Sequence, residues 1–146
     1  MRDQETIAAA LTAAETGHLV FASLHTNSAV ETVNRVVDVF PAGQQAQVRV
    51  QLSDTLQGVA CQTLLPAIEG ERLVPAVEIM ICTEAIRRAI RDGETHLLRG
   101  MIETGKAQGM QTMDAAIAAL VRSGQVQPQD AMARAQVPEA LARMIA

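Results

Sequence analysis

A chain of 146 residues with 49% hydrophobic side chains is long enough to bury a real core, and it fits one domain or one small domain with an appendage. Its net charge of −4 gives no general attraction to nucleic acid or anionic lipid, and with two Phe, no Trp and no Tyr it lacks the stacking platforms of single-strand nucleic-acid binders. The two cysteines, Cys61 and Cys82, form no CxxC pair and read as reduced thiols in a cytoplasm, and no apolar stretch is long enough to span a membrane.

Asp3 to Thr16 reads as a helix, with Ile7, Ala8, Leu11 and Ala14 near helical spacing and Asp3 as N-cap. Because this run is amphipathic rather than purely apolar, no signal peptide is expected. Gly17 is placed to end the helix as its C′ glycine. His18–Leu24 is a short apolar run suited to a buried strand. Polar residues follow it: His25, Thr26, Asn27 and Ser28. Ligands in α/β proteins collect outside the carboxyl ends of strands, so these four are the first candidates for chemistry. Asn27 or Ser28 then caps a helix from Ala29 to about Val39, with Val30, Val33, Val36 and Val37 on one stripe.

Phe40-Pro41 closes that helix. Gln44 to about Leu64 reads as a longer one, with Val48, Leu52, Leu56, Val59 and Ala60 as its apolar face and Pro66 as its stop. Leu73–Ile81 reads as extended, pairing with Gln62–Leu65 as a hairpin across a turn at Glu69-Gly70-Glu71. From Thr83 onward the chain reads as short helices: Glu84–Arg91, Thr95–Thr104, Gln111–Ser123, Gln129–Gln136 with Pro128 in the first turn, and a last turn over Glu139–Met144. No GxxxxGK[ST] occurs. So few strands would leave a sheet edge open, which points to a piece of a larger α/β domain.

The motifs form an ordered series. Met1-Arg2-Asp3-Gln4-Glu5-Thr6-Ile7 is followed by Thr16-Gly17-His18-Leu19-Val20-Phe21 and by Leu24-His25-Thr26-Asn27-Ser28-Ala29. Then come Arg35-Val36-Val37-Asp38-Val39-Phe40-Pro41, Leu56-Gln57-Gly58-Val59, Gln62-Thr63-Leu64-Leu65-Pro66, Pro75-Ala76-Val77-Glu78-Ile79-Met80, Ala85-Ile86-Arg87 and Gly109-Met110-Gln111-Thr112-Met113-Asp114. Over nearly its whole length the chain resembles the secretion-type AAA-like ATPases, and within them the twitching-motility (PilT-type) ATPases that retract type IV pili. His18–Ala29 matches that family's His box. Related extension and secretion ATPases carry a four-cysteine zinc insertion after the region matching Gln62–Leu65. Here Leu64-Leu65-Pro66 runs straight into a turn. The family helix close to Ala-Ile-Arg-Asn-Leu-Ile-Arg-Glu is met with departures at Arg88, Ala89 and Asp92.

The resemblance implies an α/β fold. Residues 1–83 would be the C-terminal part of a RecA-like P-loop ATPase core, and residues 84–146 a small all-helical subdomain. The P-loop, Asp box and Walker B Glu would lie upstream of Met1, in a protein from which this chain is a truncated form, a split gene product or a start misassigned to an internal Met. The implied activity is ATP hydrolysis with Mg²⁺ in a homo-hexameric ring that powers pilus retraction, in the cytoplasm and peripherally at the inner membrane. An inner-membrane platform protein is the implied partner, with no nucleic acid and no membrane insertion. The 146-residue chain by itself is expected to be inactive. The alternative is a non-catalytic module or remnant that docks on full-length pilus or type II secretion ATPase subunits.

By residue type alone His25 reads as a capping or core histidine. The resemblance turns it toward the γ-phosphate of ATP as a catalytic and nucleotide-binding donor, with Thr26 in support. His18 stands open between a supporting catalytic role and a structural one, and His18 with His25 lacks a third metal ligand nearby in sequence. Arg2 would orient the site or a subunit contact. Arg87, Arg88 and Arg91 share a helix, with Arg87 and Arg91 four apart. They read either as a solvated basic face or, by resemblance, as a surface that docks a neighbouring subunit or the platform.

Overall fold

A computed structural model describes residues 3–146; Arg2, given a site role above, lies outside them. Helix α1 runs Gln4–Glu15. Its N-cap is Asp3, whose Oδ1 accepts the Thr6 N–H at 2.8 Å. The helix closes with Gly17 at φ +90°, where the Gly17 N–H donates to Ala14 O and the His18 N–H to Ala13 O. This pair of bonds is the Schellman arrangement, and its left-handed residue is the reason a glycine is needed there.

Residues 18–26 depart from expectation. No strand forms, and among the described residues this segment has no ladder partner. Leu19 is 81% exposed and Phe21 90%. A short apolar run becomes a strand only where another strand satisfies its backbone, and none lies alongside it here.

Helix α2 spans Ala29–Asp38 and is capped by Ser28, which accepts the Glu31 N–H at 3.1 Å. Val33, Val36 and Val37 are buried and Val30 is half-buried, as its stripe requires. Helix α3 is Ala42–Thr55 and ends nine residues before the expected Leu64. Leu56 turns extended (φ −64°, ψ 127°), and strand β1 begins at Gly58 and runs to Pro66. Leu56, Val59 and Ala60 therefore do not continue the face set by Val48 and Leu52. A Cβ at residue 58 would stand 2.9 Å from Met80 O, so glycine lets the strands close. Strand β2, Leu73–Ile81, pairs antiparallel with β1 from Pro66↔Leu73 to Gly58↔Ile81. The hairpin is thus longer than expected, and Pro66 ends a strand rather than a helix.

Helix α4 (Glu84–Arg91) is capped by Thr83. A 3₁₀ turn at Thr95–Leu97 leads into α5 (Leu98–Thr104). Helix α6 (Met113–Arg122) is capped by Thr112, and α7 (Pro128–Arg134) and α8 (Pro138–Ile145) each start on proline.

Two cores result. The first joins α1–α5 through Ile7, Val33, Leu52, Met80, Ile86 and Leu98. The second packs the hairpin on α6–α8 through Leu65, Val74, Met113, Ile117 and Leu141. One face of β2 crosses both: Val74 and Ala76 lie in the second core and Met80 in the first, with Glu78 between them.

Candidate functional site

The loop between Gly17 and α2 carries the residues that sequence singled out. His18 is exposed, with Nδ1 3.0 Å from Thr16 Oγ1, so it is tied to the end of α1. His25 is exposed. Thr26 is half-buried, and its hydroxyl lies 2.7 Å from that of Thr32, which in turn donates to Ser28 O at 2.9 Å and lies 3.6 Å from Cys61 Sγ. Asn27 donates its N–H to Glu31 Oε2 at 2.9 Å while Ser28 caps the Glu31 N–H. This reciprocal closure is the logic of a capping box, and it fixes how the loop enters α2.

Two buried acids that sequence reasoning passed over hold this loop against the rest of the protein. Glu78 is 3% exposed; its Oε1 accepts the Ala29 N–H at 2.7 Å and its Oε2 the Met113 N–H at 3.1 Å. Both are first-turn donors of helices, left without intrahelical partners, and the positive ends of α2 and α6 favour an acid between them. Asp114 has no exposure. It accepts Arg99 Nη2 at 2.7 Å, the Gln136 N–H at 2.7 Å and the Val137 N–H at 3.0 Å. Arg99 Nη1 also reaches Gln136 Oε1 at 3.1 Å, and Gln136 Nε2 donates to Asn27 O at 2.9 Å. An open groove of about 300 Å³ lies here, lined by Ser28, Glu78, His96, Arg99 and Gln136 among others.

An acid in the alternating face Val74, Ala76, Glu78, Met80 is the signal that could have exposed Glu78. Asp114, two residues after a capping Thr, carried a weaker one. Gln136 carried none.

The arginines divide. Arg87 Nη1 donates to Ser53 O at 2.6 Å and Asp54 O at 3.2 Å, and Nη2 to Gln57 Oε1 at 3.1 Å. Arg91 bonds Ser53 Oγ and pairs with Asp54 Oδ1 at 3.0 Å. Both clasp the C-terminal end of α3, where the last carbonyls lack helical partners. Arg88 points away, 81% exposed on its side chain, with Asp92 at 3.5 Å.

Residues 1–136 match the model of the family described as "Type II/IV secretion system protein". The chain belongs to this family. Family relatives are close in sequence. The chain is 52% identical over 139 residues to the "Type IV pilus retractation ATPase PilT" of Pseudomonas aeruginosa, covering 95% of this chain and 40% of that protein. It is 49% identical over 141 residues to a "Twitching motility protein" of Neisseria gonorrhoeae, covering 97% and 38%. It superimposes with a TM-score of 0.87 and 44% identity on the crystal structure of the pilus retraction motor PilT with bound ADP, covering 98% of this chain and 40% of that one. The chain thus spans about two-fifths of the length of the curated relatives it matches. The α/β fold is that of the C-terminal part of these secretion ATPases.

Proposed function

We propose that this chain is the His-box half of a type IV pilus retraction ATPase, and that His25 donates a hydrogen bond to the γ-phosphate of ATP. The observation that carries this is the loop itself: His25 is exposed while the residues that follow it are fixed by Ser28, Glu31 and Glu78. A donor held still before charge develops is what phosphoryl transfer requires. Thr26, hydrogen-bonded to Thr32, orients the backbone beside it. His18, bound to Thr16, supports the approach to the loop from the α1 end.

ATP with its Mg²⁺ is the substrate in this reading. The residues here fit only one end of it. An imidazole suits a phosphate oxygen, the Thr26 hydroxyl being spent on Thr32, and the sequence has no GxxxxGK[ST] to cradle the rest. The P-loop half supplies that cradle and covers Leu19 and Phe21. In the whole protein six such subunits form a ring that works on the inner membrane from the cytoplasm, against a platform protein, with outward-facing Arg88 on the docking side and Arg87 and Arg91 shaping it from behind.

Purified residues 1–146 should therefore show no ATP hydrolysis. Hydrolysis abolished by His25→Ala in this chain alone would overturn the half-site reading. A second reading rests on the exposed Leu19 and Phe21. It makes the chain a non-catalytic module that docks on full-length ATPase subunits. Stable co-purification with the Pseudomonas aeruginosa protein, without fusion to a P-loop half, would favour it.

A further inference from the structure

We infer that Gln136 is a positioning residue for the loop that carries His25, tying the Asn27 carbonyl to the unit formed by α6–α8. Gln136 lies in the short link between α7 and α8, and 109 residues separate it from Asn27. Its own backbone is anchored first. The fully buried Asp114 carboxylate accepts the Gln136 N–H at 2.7 Å and the Val137 N–H at 3.0 Å. The same carboxylate holds Arg99 at 2.7 Å, and Arg99 Nη1 donates to Gln136 Oε1 at 3.1 Å.

These contacts settle which way the amide faces. With Oε1 turned to a guanidinium that can only donate, the NH₂ must point the other way. There it finds Asn27 O at 2.9 Å. Asn27 is two residues beyond His25, and its N–H is held from the opposite side by Glu31. The peptide groups flanking Asn27 are therefore fixed by two side chains of different origin, one from α2 and one from the far end of the chain. The Gln136–Asn27 bond is exposed to solvent, so it adds little to global stability. Its effect is local order of the loop. The α6–α8 unit and the loop then move together: displacing the α7–α8 link pulls on the backbone next to His25.

The inference rests on the proposed role of His25 for its catalytic meaning, but its test contains no nucleotide, so either can fail without the other. The test is NMR on the full chain with two variants. Gln136→Met removes both side-chain contacts without adding charge; Gln136→Glu keeps an acceptor for Arg99 and removes the donor to Asn27. In both, the Asn27 carbonyl ¹³C resonance should move upfield and the His25 ring signals should shift. The Asn27 and Ala29 amides should exchange about tenfold faster or more, as for a local opening. Val137 amide protection and the unfolding midpoint should stay as in the parent chain. Unchanged loop amides and His25 signals overturn the inference. So does a response in only one variant, or a loss of protection spread equally through Val137 and the cores.

Discussion

The Glu78 carboxylate accepts the N–H of Ala29 at 2.7 Å across 49 residues of chain, and with its other oxygen it holds Met113. One side chain therefore closes the N-termini of α2 and α6 and stands where the two cores meet on β2. Glu78→Ala should destabilise the fold by about 2–4 kcal/mol, since it leaves two helix donors buried without partners. Glu78→Gln turns an NH₂ against one of those donors and should cost about 1–3 kcal/mol. Urea unfolding with unchanged m-values measures both. Wild-type midpoints would show that the clamp carries no weight.

The three arginines of α4 should separate by their partners. Arg87→Ala strips the donors from Ser53 O and Asp54 O and should destabilise by about 1–2 kcal/mol. Arg91→Ala breaks a half-exposed pair with Asp54, worth less than about 1 kcal/mol. Arg88→Ala should stay within about 0.5 kcal/mol. Equal effects at all three in urea unfolding would contradict the clasp on α3.

Burial pushes the Cys82 thiol up to about 11 and raises that of Cys61 as well. Both should react slowly with a thiol reagent at pH 8 in the native state and rapidly in urea, because the thiolate is the nucleophile. A native thiol that holds its proton more tightly than the unfolded one stabilises the fold below the ordinary value of 9.0. That stability should fall as pH rises from about 9 toward 11. Cys82→Ser should lose most of this alkaline slope.

At the acid end, Asp3 is held below its ordinary 3.8 chiefly by the Thr6 backbone N–H, then by the Thr6 hydroxyl. Its cap is therefore fully present above 3.8 and is lost as pH falls through the lower native value. Amides in the first turn of α1 should gain exchange freedom over that range. Asp3→Asn, which still caps but does not titrate, should remove the pH dependence.

Sequence made the caps and periodic helices legible: Asp3 caps α1 as its type and place suggest, and of Asn27 and Ser28 it is Ser28 that caps α2. Two segments were misjudged for opposite reasons. In sequence, residues 58–64 continue the apolar helical face of α3 without alternating, and only pairing with β2 decides for a strand. Residues 18–24 look like a buried strand, but a strand needs neighbours, and among the described residues none pairs with them. At the site, the His18–Ser28 loop announced itself through its polar cluster. Glu78 left only its place in an apolar strand face, and Asp114 and Gln136 left less, because the partners of all three lie 15 to 109 residues away and no local pattern names them.

The central claim is that His25 completes an ATP site whose other half carries a P-loop. The direct measurement places residues 1–146 in the corresponding segment of the Pseudomonas aeruginosa retraction ATPase and compares kcat for ATP hydrolysis with and without His25→Ala. The account predicts that the parent chimera hydrolyses ATP, and that His25→Ala lowers kcat by about 10²–10³-fold, the usual loss on removing one positioned donor. ATP binding should be retained. A folded chimera in which His25→Ala leaves kcat unchanged would contradict it.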